Sequence, residues 1–144
     1  MRDPRLLFGA TIAIVLLGVY AYAVIEAVRV ALFDASGTLG NGFSYTLETV
    51  GGLVSALVVV ELAITNPGDP IGVRSTGEAT NGIGAVAIIG TAYVLVWILL
   101  GLGAYVVGAM LYPDKVKALT DFGQTWLGLA VAAGYAYFGI GPRR

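Results

Sequence analysis

Neither cysteine nor histidine occurs in this chain of 144 residues. Disulfides, thiolate metal sites, imidazole-ligated haem and the usual proton switch near neutral pH are therefore excluded. A serine or threonine nucleophile also lacks the imidazole that would activate it. Charge is the second scarcity: Lys, Arg, Asp and Glu make up 12% of residues, against roughly a quarter in an average soluble domain. Eight basic and nine acidic residues leave a formal charge of −1, so the basic face of a nucleic-acid binder is missing. No Gly-Lys-Ser or Gly-Lys-Thr occurs, which removes the phosphate-cradling loop. With no reactive set to rest on, an enzyme acting on lipid or quinone is disfavoured, no cofactor or metal is expected, and the chain reads as non-enzymatic.

What is present is apolar: 58% of residues are hydrophobic. The predicted fold class is an all-α integral membrane protein, one domain over residues 1–144, with four transmembrane helices in a compact up-down bundle with short loops. The expected spans are residues 6–33, 44–65, 83–112 and 123–140. The run from Leu6 to Ile25 gives about 30 Å of helix, one crossing. It exceeds the roughly 7 to 15 apolar residues of a signal peptide and is read as a retained span. Helix continues to Phe33 because nothing breaks it before Asp34. Asp34–Gly42 is turn by composition, and Asn66-Pro67-Gly68 ends the second span. The hydrophilic stretch to Gly82 reads as loop. The third run, Ile83–Tyr112, is longer than a 30 Å hydrocarbon core needs at about 1.5 Å per residue, so it tilts, kinks near its glycines or projects. Pro113 closes it, and Asp114–Phe122 reads as an amphiphilic link.

Counting Lys and Arg in the flanks puts Arg2, Arg5, Arg74, Arg143 and Arg144 on one side and Lys115 and Lys117, with Arg29 where it lies outside the core, on the other. Both termini are therefore expected in the cytoplasm or its topological equivalent, in a cell membrane or, as an alternative, a viral one.

Two carboxylates, Glu48 and Glu61, lie within the second span, where an ionisable group is costly and often functional. Thirteen residues separate them by roughly 140° around the helix and roughly 20 Å along it, so they share neither a proton nor an ion within one protomer. Each sits near one interface, where a carboxylate is within reach of headgroups or loop cations. Glu48 has the more suggestive neighbourhood, with Gly52 and Ser55 on its face. Arg29 has two possible uses: an exposed pair with Glu26 at i,i+3, or neutralisation of Glu48 on the next span. Candidate ion-path residues are thus Glu48, Ser55, Glu61 and Arg29.

Small residues recur at four-residue spacing: Gly51 with Ser55, Gly52 with Ala56, Ala104 with Gly108, and Ala130 with Gly134. Such pairs let helices approach closely in lipid, so these are the candidate packing positions. Tyr93 and Trp97, at i,i+4 in mid-span, could stack a ligand, but core packing and interfacial anchoring explain the aromatics without one.

The leading functional expectation is a structural or assembly subunit of a membrane complex, self-associating or docked on larger partners, with the lipid bilayer as its surroundings. The alternative is an oligomeric channel, pore or carrier component in which Glu48, and perhaps Glu61, lines a hydrated path.

Overall fold

The structure is a computed structural model that describes residues 4–64 and 83–138, with side chains for 8–63 and 88–138. The expected loop before Gly82, and Arg2, Arg74, Arg143 and Arg144 used for orientation, lie outside the described residues. Four helices make up the described chain: α1 (Pro4–Phe33), α2 (Asn41–Ile64), α3 (Ile83–Ala104), which continues into a π-helical segment (Tyr105–Leu111), and α4 (Lys117–Phe138).

Each boundary has a local cause. After Phe33 the Asp34 carboxylate accepts from the Ser36 amide at 2.9 Å and from its hydroxyl at 2.8 Å, which turns the chain out of the helix. Gly37 follows with φ 60°, and a Cβ there would lie 2.7 Å from the Lys115 carbonyl. Only glycine fits both the left-handed backbone and that approach. The 34–40 turn is thereby packed on the 112–116 turn, so both turns lie at the same end of the bundle. Gly40 then accepts from the Ser44 amide at 3.0 Å to start α2.

α3 ends differently. The Tyr112 amide reaches back five residues to the Val107 carbonyl, the signature of a π turn. The Gly108 carbonyl is then stranded, because Tyr112 is engaged and the next residue, Pro113, has no amide hydrogen. Thr120 of α4 reaches it: its hydroxyl lies 2.7 Å from the Gly108 oxygen and 2.9 Å from that of Pro113, so its one proton is shared across this turn. Gly108 can come this close because a Cβ there would sit 2.8 Å from the Leu119 backbone.

Around the bundle the order is α1, α2, α4, α3, with α2 making its broadest contact with α4. Gly51 of α2 meets Phe122 of α4. On the other side of α4, Gly101 meets Trp126 and Gly123 meets the backbone of Ala104 and Tyr105. These pairings make α2 and α4 run the same way and α3 run against them. The core is aromatic. Tyr20 packs edge-on to Phe122, Trp97 lies 5.7 Å from Trp126, and both Trp97 and Trp126 are almost wholly buried.

α1, α2 and α3 with its π extension are long and apolar enough to cross a membrane; α4 falls short of that standard. The deficit has a simple origin. Gln124, Thr125, Trp126, Tyr135, Tyr137 and several Gly and Ala lower its hydropathy, and because α4 begins at Lys117 rather than at the expected residue 123 it also takes in Lys117, Thr120 and Asp121.

Candidate docking groove

α4 is the most two-faced of the helices, and its polarity points outward. Leu119, Phe122, Gly123, Trp126 and Ala133 are buried against the bundle. Lys117, Asp121, Gln124, Thr125, Gly128, Ala132 and Tyr135 are exposed. At about 100° per residue these seven fall within a stripe about 100° wide, opposite the buried set. A helix facing only hydrocarbon carries the reverse pattern, because unpaired polar groups in lipid cost free energy.

Where this stripe meets α2 there is an open groove of about 240 Å³, lined by Glu48, Gly52, Asp121, Phe122, Thr125 and Leu129. The sequence folds it locally: Gly51 admits the Phe122 ring between the two helices, and Gly52, which has open space where a Cβ would be, leaves the wall low. Glu48 lies seven residues into α2 and Asp121 four residues into α4, about 10 Å and 6 Å along their axes from the same end of the bundle. Neither carboxylate has a hydrogen-bond or ion-pair partner among the described residues. Two carboxylates and a hydroxyl in such a groove can receive a cationic or hydrogen-bonding group. With no group of three or more metal-ligating side chains among the described residues, they make no metal cage.

The other expected site residues lie elsewhere. Arg29 is paired with Glu26 on its own helix, with Nε donating to Oε2 at 2.8 Å, and does not neutralise Glu48. Ser55 shares the Glu48 face by sequence, yet it is fully buried and its hydroxyl accepts from Trp97 Nε1 at 2.8 Å, inside the bundle. Glu61 is half-buried further along α2 and does not line the groove. Tyr93 and Trp97 do not face each other across an open ligand site: Trp97 is packed in the core, and the Tyr93 hydroxyl is buried without a partner among the described residues.

Of the expected packing residues, Gly51, Ala104 and Gly108 are buried at helix contacts. Gly52 borders the groove and Ala56 is exposed, while Ala130 and Gly134 are half-buried. Gly101 and Gly123 are close-approach positions that the four-residue spacing did not single out. Asp121 and Thr125 are the groove residues missed from sequence. The signal for them was present in Leu119, Phe122, Trp126 and Ala133, which recur at helical spacing and carry the amphipathic pattern back through the supposed link.

At the same end, Asp34 sits outside the apolar segments. Hydrogen bonds from the Ser36 backbone and side chain hold its carboxyl below the ordinary carboxylate value. It therefore stays anionic and adds to the acidic character of this end. Comparison of the chain with protein-family models, with curated proteins and with solved structures finds no match.

Proposed function

We propose that this chain is a non-enzymatic assembly subunit of a membrane complex, with all four helices embedded and both termini cytoplasmic. Its α2–α4 face is the surface by which it associates. The observation that carries this reading is the outward polar stripe of α4 beside the open, acidic groove. In lipid that face exposes Asp121, Gln124, Thr125 and Glu48. An ionised Asp costs about 2.5 to 3.5 kcal/mol at the centre of a membrane helix on insertion scales, and less towards the ends, where Asp121 and Glu48 lie. Covering the face with a partner removes the polar groups from hydrocarbon and satisfies them, whereas the remaining outer surface, rich in exposed Ile, Leu, Val and Phe on α1, α2 and α3, suits lipid as it stands.

A hydrated path lined by Glu48 and Glu61 has less support. The two carboxylates lie about 20 Å apart along α2, and Glu61 does not line the groove that Glu48 borders, so a path between assembled copies would draw on Glu48 alone at that level.

Native mass spectrometry of the full chain released from its own membrane in a mild detergent tests the assembly reading. The expected spectrum shows the chain bound to at least one further chain, its own or another. A chain that stays monomeric and partnerless under these conditions overturns the proposal.

A further inference from the structure

Resting on that reading, the geometry points to the occupant of the α2–α4 face: a second copy of this chain, related by a two-fold axis along the membrane normal that runs beside α4. The stripe is complementary to itself. Lys117 and Asp121 stand one helical turn apart, both exposed, and Lys117 has no acceptor among the described residues. Pairing two parallel α4 helices about this axis sets each residue level with its own counterpart, so the Lys117 of each copy lies one turn, about 6 Å along the axis, from the Asp121 of the other, a distance its long side chain spans, with Glu48 on the far wall of the groove as a second acceptor. Gln124 is one turn further in, and its amide offers both a donor and an acceptor, so two copies bond to each other across the axis. Beyond it, Gly128 has open space where a Cβ would be, and Ala132 follows at four residues; together they let the backbones approach.

Depth also favours a second copy. Copies inserted in the same orientation bring the two Gln124 amides to one height by symmetry and hold each Lys117 within one turn of the other copy's Asp121, whereas an unrelated partner needs its own cation and amide at suitable levels.

Because the chain has no native cysteine, the test needs only single substitutions in the full-length protein. Gln124→Cys, oxidised in native membranes, is expected to give a covalent dimer, while Val15→Cys, on the exposed face of α1, stays monomeric. Asp121→Lys is expected to lower the dimer fraction at least tenfold at fixed protein-to-lipid ratio, and adding Lys117→Asp to restore it. Retained tryptophan emission in each variant shows that the bundle is folded. Equal cross-linking of the two cysteine variants, or a charge exchange that restores nothing, overturns the two-fold pairing. A folded, monomeric Gln124→Cys variant whose parent co-purifies with a different protein overturns the second copy while leaving the assembly reading standing. A monomer with no partner removes both.

Discussion

The hydroxyl of Ser55 illustrates how little polar chemistry this interior holds and how specifically it is placed. Its acceptor oxygen meets Trp97 Nε1 at 2.8 Å and joins α2 to α3, two helices that otherwise barely touch. Buried donors are costly to orphan, and the interior already contains two, since the Tyr93 hydroxyl and Trp126 Nε1 have no partner among the described residues. Ser55→Ala is therefore expected to destabilise the bundle by about 1 to 2 kcal/mol. The same change made with Trp97→Phe already present costs less, because no N–H remains to be orphaned. Reversible unfolding in mixed micelles, followed through Trp126 emission, measures both. By helical periodicity Ser55 and Glu48 lie within about 20° of each other, which places them on one face. Periodicity places a Cβ; it does not say that the neighbouring helix will present an indole nitrogen to it.

Among the elements, the helices were legible because long apolar runs end at strong breakers. Pro113 and the Asp34–Gly42 turn fixed boundaries to within a few residues. α4 was misjudged at its start, since Lys117 and Asp121 weigh against a membrane helix when read as isolated charges. They cease to do so once Leu119, Phe122 and Trp126 are seen to share one face. Part of the groove is hidden by that boundary: Glu48 and Gly52 stand out from sequence, whereas Asp121 and Phe122 fall in the expected link and Thr125 in the first turn of the expected last span. The π segment was not legible at all, because a π turn has no compositional signature and depends here on a partner twelve residues away. That partner gives an element-scale prediction. Thr120→Val keeps the shape and removes the hydroxyl, leaving the Gly108 carbonyl stranded between an engaged amide and a proline. The expected result is a loss of about 1 to 2 kcal/mol, with amide exchange accelerating from Tyr105 to Tyr112 ahead of the rest of α3. Uniform exchange along α3 would show that Thr120 does not hold the segment.

At the scale of the molecule, everything proposed depends on α4 lying in the membrane although its own composition is too polar to require it. Its burial against α2 and α3, both apolar enough to span, is the reason to place it there. Labelling with a membrane-impermeant maleimide separates the cases. Leu127→Cys, near the middle of α4 and beside the polar stripe, is expected to stay unlabelled in intact membranes and to react after denaturation. Ser36→Cys, in the exposed turn, serves as the control to be added from the side on which the turn lies. Ready labelling of the Leu127→Cys variant in sealed membranes from either side would mean that only three helices cross.

The broad contact of α2 with α4 also bears on how the protein is made. α1 and α2 are synthesised before α4, so on the proposed membrane placement the flank of α2 around Gly51 that later receives Phe122 first meets lipid or an insertion factor. Closing the bundle then requires the late hairpin of α3 and α4 to displace that cover. With all four helices embedded as proposed, biogenesis ends with a sideways association of two hairpins within the bilayer, complete only when the last helix arrives.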